Sequence, residues 1–461
     1  MAALAIEIND AGLTVADRSG VLAVEPGYAL VEGRRIVTGS EALRQARLKP
    51  RYVTNRYWSG LSAEPGSAGV EIAQSAAELG FAQLNELWQR FGAGVESVVL
   101  VVPGQYRSEQ LGLLLGLAQE CGMPVRAFVD AAAAASTRPY PGHQLVYVDA
   151  GLHRVSATAL AQGAEVTVGA EQSLAQSGLA AFKDLLARRI AELFVLGTRF
   201  DPFHQAETEQ LLYDRLEGVL AGLDAADAAQ LALPFGGEEF RIKVDREQLL
   251  GVASGFYRAL VHLIAQHRAA GESMVVQLSA RLSELPGLKA ELARLDDAYI
   301  EPLPFGRAAQ AALAVEVGLD GETDVKLWKH LPWRGEEVRV DVARRAEATA
   351  ARATEEEAPT HVVYRGVVHP VGTEGLLIGR ETENGRRVLI VEGQVSGVSR
   401  VHCELAMRDG ELKLLDLSRY GTFVNEKRVS GEAVLRRADV IRIGSPGAEF
   451  QVVSMEGARG A

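Results

Sequence analysis

The sequence predicts an α/β N-terminal part followed by an all-β sandwich, and three observations carry this prediction. Before residue 334, short apolar runs such as residues 97–104 alternate with stretches whose apolar residues recur at helical spacing. After residue 360, short β-rich runs are separated by turn pairs such as Asp409-Gly410, which favours a sandwich of about 100 residues. Between these parts, residues 334–360 are rich in charge and alanine, a composition typical of a linker.

Composition and charge exclude several classes of protein. The chain has 461 residues, of which 48% are apolar and 23% charged, so it is long enough for two or three folded domains. Its longest apolar runs fall short of the roughly 18 residues that a membrane span needs, and its N-terminus lacks the basic segment of a secretory signal. We therefore expect a cytoplasmic protein without a membrane partner.

Cysteine content and net charge narrow the classes further. Cys121 and Cys403 are far apart and lack metal-ligand neighbours, so the sequence predicts no disulfide and no metal site. The net charge of −12 argues against nonspecific binding of nucleic acid. Residues 361–461 hold 14 basic and 13 acidic residues, so the acidity lies in the N-terminal part.

The elements of the N-terminal part follow in order along the chain. A buried strand at residues 97–104 precedes a helix from about Ser108 to Gly122, and a second strand covers residues 125–130. A hairpin of two strands is expected within residues 144–166. The remaining predicted elements are a mostly helical stretch at 172–270 with a strand pair near 232–244, a strand beginning at Met274, and a helix after Pro286.

Two strands of the N-terminal part end in the same short pattern. Residues 6–13 and residues 146–153 both continue into an Asp-x-Gly element. Glycine permits close backbone approach, and paired turns of this type hold phosphates in one class of nucleotide-binding fold. The pattern therefore marks the N-terminal part as a candidate nucleotide-binding region.

The strongest signal in the sequence lies after the linker. Gly379-Arg380, Ser399-Arg400-Val401-His402 and the segment Asp416–Asn425 place small, basic and hydroxyl residues at predicted strand ends. Such residues suit a phosphate dianion, which offers strong acceptor oxygens. The order and spacing of these motifs resemble the forkhead-associated (FHA) domain, a phosphothreonine-peptide-binding β-sandwich, over residues 362–454.

The resemblance implies a role for each matching residue. Arg380 and Ser399 would bind the phosphate directly, while Arg400 and Arg419 would line the peptide groove. Tyr420 stands where the family usually has an asparagine that hydrogen-bonds the ligand backbone, so peptide affinity is expected to be weakened. The residues with implied supporting roles are Gly379, His402 and Gly421 in the loops and Thr422 and Asn425 at the opposite turn. An alternative is a degenerate FHA fold that serves as a constitutive docking surface.

Segments of the N-terminal part resemble the nucleotide-binding domain of DnaK-type chaperones and the wider actin-like ATPase superfamily. Such a resemblance implies a two-lobed α/β fold over most of residues 1–320. The matching segments are residues 6–17 and 146–160 as phosphate loops, 33–46 as an early strand-helix unit, 98–136 as the connecting strands and helices, and 274–288 as the adenosine loop.

The phosphate and adenosine loops depart from the family pattern. Small residues that the family uses for close approach are replaced, for example by Leu152-His153-Arg154 after Gly151. Bulky side chains there would crowd a triphosphate, so Mg-ATP is an uncertain cofactor and no catalytic residue is assigned. If nucleotide binding is retained, the resemblance places it at Asn9, Asp10, Gly12, Asp149, Gly151, Ser279 and Arg281.

Other charged residues of this part have open interpretations. Asp149 either holds a cation or caps a turn, and Arg154 either pairs with phosphate or makes a surface ion pair. Lys49 is a candidate phosphate-facing lysine, and its surroundings have the composition of a basic and aromatic interaction surface. The surrounding residues are Arg51, Tyr52, Arg56, Tyr57 and Trp58.

Together these patterns predict a signalling adaptor in which the FHA domain binds threonine-phosphorylated partners that depend on an upstream Ser/Thr kinase. The predicted domains are a degenerate actin-like domain at 1–333, a linker at 334–360, an FHA domain at 361–455 and a tail at 456–461. The alternatives are an active ATPase coupled to phosphopeptide binding and a purely structural assembly subunit. Thr354 precedes three glutamates in the linker, and its phosphate is a candidate intramolecular ligand.

Overall fold

The computed structural model divides the chain into two compact units, Met1–Ala346 and Glu347–Ala461. Within them it describes residues 2–68, 74–269, 271–293, 295–314, 327–340, 359–364, 367–382, 386–391, 396–408, 410–425, 427–436, 439–444 and 447–453.

The first half of the N-terminal unit is built from strands with short helices between them. Its elements are β1 Ala3–Glu7, β2 Leu13–Asp17, β3 Gly20–Glu25, β4 Ala29–Glu32, β5 Arg35–Thr38, α1 Gly39–Leu43, β6 Val53–Thr54, α2 Ala76–Phe91, β7 Ser97–Val102, α3 Ser108–Glu120, β8 Val125–Asp130 and α4 Ala131–Ala135.

The second half carries the long helices. Its elements are β9 Gln144–Ala150, β10 Arg154–Gln162, β11 Glu165–Ala175, α5 Leu179–Thr198, a 3₁₀ turn at Pro202–His204, α6 Ala206–Ala225, β12 Ala228–Phe235, β13 Glu238–Asp245, α7 Arg246–Ala265, β14 Met274–Leu278, α8 Ala280–Ser283, α9 Leu288–Leu292, β15 Ala298–Pro302, α10 Arg307–Ala312, β16 Leu327–Trp328 and β17 His330–Pro332.

Two six-stranded sheets in this unit share one internal strand arrangement. Their orders are β16-β8-β7-β1-β2-β3 and β15-β14-β9-β10-β11-β17. In each sheet three consecutive strands are antiparallel, and two later strands run parallel to the first of them on its other side. The N-terminal unit is therefore mixed α/β, and the expected two-strand hairpin at 144–166 extends to a third strand, β11.

This arrangement places the Asp-x-Gly elements at equivalent positions. Glu7 ends β1 and Asp149 lies one residue before the end of β9, each beside parallel strands whose carboxyl ends share the same edge. In α/β sheets such edges are where ligand-binding loops gather. The sequence pattern and the sheet topology therefore both indicate the carboxyl ends of β1 and β9 as candidate ligand-binding positions.

Local sequence explains the main elements. The apolar run of β7 is almost entirely buried, as expected for a strand covered on both faces. Helix α2 begins at a capping box, in which Ser75 Oγ accepts from the Glu78 amide at 3.2 Å and Glu78 Oε2 accepts from the Ser75 amide at 2.7 Å. Small side chains of α4 and α10 fill the core that the two sheets share, because alanine lets layers approach closely.

Helix α7 is long and apolar enough to span a membrane by length and composition alone. Its residues Leu249, Tyr257 and Leu263 are nevertheless buried in a core cluster together with residues of α5 and β14. The same composition test is passed by core helices of soluble folds, so the finding is weak evidence for a membrane span.

The segment 327–332 joins both sheets. Its first strand, β16, pairs parallel with β8, and its second, β17, pairs antiparallel with β11. The residues after this segment remain hydrogen-bonded to the N-terminal unit. The amides of Arg334 and Gly335 donate to the Thr137 carbonyl at 3.0 Å, and the Val338 amide donates to the Pro139 carbonyl at 2.9 Å. Residues 334–340, which the composition placed in the linker, thus belong with the N-terminal unit, while 341–358 lie outside the described residues.

The C-terminal unit consists of strands alone in its described residues. They are β18 His361–Tyr364, β19 Val367–Pro370, β20 Leu376–Gly379, β21 Val388–Ile390, β22 Val401–Arg408, β23 Glu411–Asp416, β24 Thr422–Val424, β25 Lys427–Arg428, β26 Glu432–Leu435, β27 Val440–Ile443 and β28 Ala448–Val453. They form sheets of order β19-β18-β28-β27-β24-β25 and β21-β20-β22-β23-β26.

Residues from both of these sheets meet in one core. Ile378 and Leu405 of the second sheet cluster with Ile441 and Phe450 of the first. Cys403 is a free thiol buried in this core. Cys121 is also a buried free thiol, in a core of the N-terminal unit. The predicted all-β sandwich is confirmed.

Candidate functional site

Three loops at one end of the sandwich carry the residues that the sequence singled out. Arg380 follows β20, Ser399 precedes β22, and Arg419 lies between β23 and β24. The Arg380 amide donates to the carbonyls of Ser399 at 3.3 Å and Arg400 at 2.9 Å, and the Arg419 amide donates to Ser399 Oγ at 3.2 Å. Hydrogen bonds from these backbone amides, to carbonyl groups and to Ser399 Oγ, thus bring all three loops together around Ser399.

Gly379 makes the first of these contacts sterically possible. A Cβ at this position would overlap the carbonyl oxygen of Arg400, which is the acceptor for the Arg380 amide. No side chain larger than hydrogen fits there without moving the backbone. The glycine therefore fixes how closely β20 approaches the loop that holds Ser399.

His402 connects the second and third loops from within the core. Its Nδ1 accepts from the Ser399 amide at 3.1 Å, and its Nε2 lies 3.2 Å from the Gly421 carbonyl oxygen. The ring is fully buried, and this burial lowers its pKa, so the neutral ring with a proton on Nε2 satisfies both contacts. His402 consequently holds Ser399 and Gly421 at a fixed separation.

The turn before β24 is fixed by Asp416. Its Oδ1 accepts from the Ser418 amide at 3.0 Å and from Thr422 Oγ1 at 2.7 Å, and Ser418 Oγ accepts from the Gly421 amide at 2.7 Å. Burial opposes ionisation, but these hydrogen bonds outweigh it and hold the pKa of Asp416 below its usual value. Asp416 and Ser418 lie in the predicted motif segment but were assigned no role of their own, although the Asp-x-Ser spacing is typical of such a turn.

Asn425 supports the far end of β24. Its side chain donates to Asp439 Oδ1 at 2.8 Å and accepts from the Val440 amide at 3.0 Å. Its backbone lies in the left-handed region, with φ of 48°, which asparagine adopts more readily than most residues. Asn425 therefore joins β24 to β27, and its contacts are with the sandwich itself.

The exposed residues of these loops are more basic than acidic, with Arg380, Arg400 and Arg419 against Glu381. Among the described residues, no carboxylate pairs with the side chains of Arg380, Arg400 or Arg419. Tyr420 is 64% exposed, with the Arg419 guanidinium 5.8 Å from its ring centroid. Unpaired guanidinium groups beside a hydroxyl and backbone amides form a suitable environment for a phosphate dianion.

The residues predicted for a nucleotide also come together, but they bind one another. Arg281 reaches from the first turn of α8 to the end of β1, where its Nη1 lies 2.8 Å from Glu7 Oε1. The same atom lies 3.3 Å from Asp149 Oδ2, and Nη2 donates to the Gly12 carbonyl at 3.1 Å. The three charged side chains are at most 12% exposed.

The two Asp-x-Gly elements are also hydrogen-bonded directly to each other. Asn9 Nδ2 donates to Asp149 Oδ2 at 3.0 Å, and Asp10 Oδ1 accepts from the Leu152 amide at 2.7 Å. A Cβ on Gly151 would overlap the Asp10 carboxylate, so this glycine permits the two turns to touch. Burial raises the pKa of Asp10 and, against the effect of Arg281, that of Glu7.

Little space remains beside this cluster. A cavity of about 20 Å³, lined by Glu7, Ser279 and Arg281 among others, is large enough for about one water molecule. Ser279 is buried, and its Oγ has no hydrogen-bond partner among the described residues. No group of three or more His, Cys, Asp or Glu residues suited to a metal ion occurs in the described parts of the chain.

A second polar cluster joins the halves of the N-terminal unit. Arg47, which follows α1, contacts Asp184 of α5 at 2.7 Å and Glu209 of α6 at 3.5 Å. Its guanidinium carbon lies 3.8 Å from the ring centroid of Tyr213, whose hydroxyl also donates to Asp184 at 2.6 Å. This contact could not be predicted from the sequence, because its partners are more than 130 positions apart.

The expected surface around Lys49 is corrected only in part: Arg51, Tyr52 and Arg56 are exposed, whereas the two other aromatic residues are not. Lys49 pairs with Glu32 at 2.5 Å within the first half of the N-terminal unit. Tyr57 and Trp58 are buried, and both bond to Gln83 Oε1, at 2.6 and 2.7 Å. These aromatic residues belong to the core and offer no interaction surface.

Comparison with known families identifies residues 376–444 as an FHA domain. The match begins at β20 and ends after β27, so it contains all three loops that surround Ser399. The match lies within the C-terminal unit and does not extend to the residues before 376. No curated protein matches the chain.

Proposed function

We propose that this protein is an adaptor whose FHA domain binds threonine-phosphorylated partners produced by a Ser/Thr kinase. The observation that carries the proposal is the convergence of Arg380, Ser399 and Arg419 on one exposed, basic end of a matched FHA domain. FHA domains generally bind phosphothreonine-containing proteins. A phosphate there would receive charge-assisted hydrogen bonds, each contributing about 1.5–3 kcal/mol.

The charges favour ligand binding over a constitutive docking role. A surface that packs permanently on a protein needs its charges paired, because buried unpaired charges are costly. Here Arg380 and Arg419 have no carboxylate partner among the described residues, although the chain as a whole carries a net charge of −12. Such a concentration of unpaired positive charge suits an anionic ligand that binds and leaves.

The test is a binding assay with peptide libraries. The full chain is titrated with degenerate peptides centred on phosphothreonine, phosphoserine or threonine, and the variant Arg380→Ala is compared with Arg408→Gln. Arg408 lies at the other end of β22 and its substitution removes the same charge. We expect phosphothreonine-dependent binding that falls 10-fold or more in Arg380→Ala and is retained in Arg408→Gln. Equal binding of threonine and phosphothreonine would instead indicate constitutive docking.

For the N-terminal unit we propose an actin-like domain without nucleotide function. The repeated strand arrangement of its two sheets supports the actin-like part of this proposal, since the superfamily is built from two similar lobes. The two loops that would hold the nucleotide phosphates support the proposed absence of nucleotide function. The guanidinium of Arg281 contacts both Glu7 and Asp149, at the loops where the resemblance to actin-like ATPases would place the nucleotide phosphates and their cation.

The residues present do not suit a magnesium-bound nucleotide. Both carboxylates that would face a cation already share the guanidinium of Arg281. The adjoining cavity of about 20 Å³ is far below the roughly 300 Å³ of a small-molecule site. Asn9 and Asp10 also bond to the opposite loop. We therefore derive no catalytic step for this unit.

The connections between the halves also argue against an opening and closing cycle. Arg47 contacts α5 and α6, and the segment 327–332 pairs with a strand of each sheet. Opening the cleft at Arg281 would have to strain or break these contacts as well. A fixed scaffold that docks a second partner agrees better with them than a switching ATPase.

Calorimetry distinguishes the two possibilities. We expect no heat of binding when Mg-ATP or Mg-ADP is added to the full chain, and no thermal shift. Asp149→Ala is the control, because a family-like site would lose binding in this variant. Nucleotide binding that depends on Asp149 would favour the alternative of an active ATPase. If the unmodified chain binds neither nucleotide nor phosphopeptide, the alternative of a purely structural subunit is favoured.

Thr354 is a proposed internal ligand. It is followed by three glutamates and precedes the FHA domain, and a short tether gives a high effective concentration. Residues 341–358 lie outside the described residues, so the proposal rests on sequence alone. We expect a chain phosphorylated at Thr354 to bind added phosphopeptide more weakly than the unmodified chain, and equal affinities would show that Thr354 does not compete.

A further inference from the structure

A cationic side chain that the family motifs do not include lies against the binding loops. Arg428, on β25, places its guanidinium beside Gly421: the position that a Cβ would take on Gly421 is 2.7 Å from Nε and 3.3 Å from Nη2. Gly421 has φ of 100°, which strongly favours glycine, and the missing side chain leaves room for the guanidinium. Arg428 thus folds onto the turn before β24.

This contact places Arg428 and Arg380 on different sheets. Arg380 follows β20 of one sheet, whereas Arg428 lies on β25 of the other, where it pairs with Phe423. The Arg380 amide contacts the loop that contains Ser399, the Arg428 guanidinium lies against Gly421, and His402 joins Ser399 to Gly421. A positive charge is therefore present beside the Gly421 turn, in addition to the arginines of the loops around Ser399.

Arg428 has no ion pair among the described residues. It is exposed, and no carboxylate of the described chain lies within salt-bridge distance of it. The ordinary explanation for such a residue is a solvated surface arginine. Against this, the guanidinium lies close to Gly421, whose amide and carbonyl fix the loop of Arg419.

We propose that Arg428 forms a second anion-binding position, so that the preferred ligand is a phosphothreonine segment with a further anionic group nearby. The inference rests on the proposed phosphothreonine function and specifies its ligand class. The anionic group is a carboxylate or a second phosphate, which share the oxygen acceptors that a guanidinium binds.

The loop geometry limits how far this group lies from the phosphothreonine. The Arg419 amide contacts Ser399 Oγ at 3.2 Å, and Gly421 follows Arg419 by two residues, or at most about 7 Å of chain. An extended peptide advances about 3.3 Å per residue. The second anionic group therefore belongs about two to four residues from the phosphothreonine.

The chain itself contains a sequence with this chemistry, which supplies the probe. Thr354 is followed by Glu355, Glu356 and Glu357. The peptides cover residues 350–358 and exist in four forms: phosphothreonine with the three glutamates, phosphothreonine with three glutamines, threonine with the three glutamates, and phosphothreonine with glutamines and one phosphoserine at position 356.

Each peptide is titrated into the full chain, into Arg428→Gln and into Arg408→Gln. We expect the unmodified chain and Arg408→Gln to bind the phosphorylated glutamate peptide about tenfold more tightly than the phosphorylated glutamine peptide. In Arg428→Gln this ratio falls to about one, while the affinity for the glutamine peptide is unchanged. The phosphoserine form shows whether a phosphate replaces the carboxylates, and an Arg428-dependent gain with either group supports the inference.

Other outcomes overturn it in distinguishable ways. Equal binding of the glutamate and glutamine phosphopeptides, or a ratio that survives in Arg428→Gln, removes the second anion-binding position but leaves phosphothreonine binding intact. Binding of the unphosphorylated glutamate peptide as tightly as its phosphorylated form shows a general acidic-peptide surface. If no phosphopeptide binds, the proposed function fails and this inference fails with it.

Discussion

The guanidinium of Arg281 meets the carboxylate of Glu7 at 2.8 Å, although the two residues are 274 positions apart. Glu7 is 4% exposed and Arg281 12%, and Asp149 shares the same guanidinium nitrogen. Burial alone would lower the pKa of Arg281, but Glu7 and Asp149 raise it above its usual value, so the group stays charged. The contact joins the ends of β1, β9 and β14 into one polar cluster.

We expect Arg281→Met to destabilise the N-terminal unit by about 3–5 kcal/mol, because it leaves Glu7 and Asp149 buried without a counter-charge. Urea unfolding followed by tryptophan fluorescence measures this selectively, since all 4 tryptophans precede residue 334. The triple variant Glu7→Gln/Asp149→Asn/Arg281→Met removes every charge and should recover most of the loss. An unchanged urea midpoint in the single variant would show that the cluster contributes nothing to folding.

The contact of Arg47 with α5 and α6 is testable in the same way. Arg47→Ala removes the ion pairs with Asp184 and Glu209 and the contact with the Tyr213 ring, so we expect a loss of about 1–2 kcal/mol. Lys49→Ala is the matched control, because within the described part of the chain Lys49 forms a single ion pair, with Glu32, at a more exposed position. Its loss should stay below about 0.5 kcal/mol. Equal losses in the two variants would contradict a specific role for Arg47.

The sequence allowed the local features of the fold to be predicted, because they depend on local patterns. The apolar run of β7, the motifs around Arg380 and Ser399, and the Asp-x-Gly elements are all short segments with known conformational preferences. The internal binding of Arg281 was not predictable, since it depends on how β14 and β1 are brought together. Arg428 was missed for the same reason: only the pairing of β24 with β25 places it at the loops.

Gly379 should be indispensable to the phosphopeptide site. In Gly379→Ala the added methyl group would overlap the Arg400 carbonyl, so β20 and the Ser399 loop must separate. We expect at least tenfold weaker phosphopeptide binding and lower stability of the C-terminal unit. Gly372→Ala is the control, because a Cβ there meets no atom within 4 Å and should leave binding unchanged. Normal binding by Gly379→Ala would show that the loops tolerate separation.

Tyr420→Asn should strengthen phosphopeptide binding. Tyr420 is exposed, and the resemblance to FHA domains places it where the family has an asparagine that hydrogen-bonds the ligand backbone. One neutral hydrogen bond contributes about 0.5–1.5 kcal/mol, so the expected gain is about 2- to 12-fold in the dissociation constant. Tyr420→Ala serves as the control, because it removes the ring without supplying the amide. A gain of the same size in both variants would mean that the ring merely obstructs the groove.

The C-terminal unit should lose stability as the pH falls below about 6.5. Burial lowers the pKa of His402 in the folded state, so between that value and about 6.5 the unfolded chain binds more protons, and lower pH favours unfolding. The lowered pKa of Asp416 adds a loss of the same sign only below about pH 4.

At pH 5.5 the contribution of His402 is at most about 1.4 kcal/mol, since one pKa unit corresponds to that amount. Hydrogen exchange of peptides from β22 and β24, corrected for intrinsic rates, measures the change between pH 7.5 and 5.5. In His402→Gln the starting stability should be lower but its pH dependence smaller, because no titrating ring joins Ser399 to Gly421. The same pH dependence in both proteins would show that another group controls acid destabilisation of the sandwich.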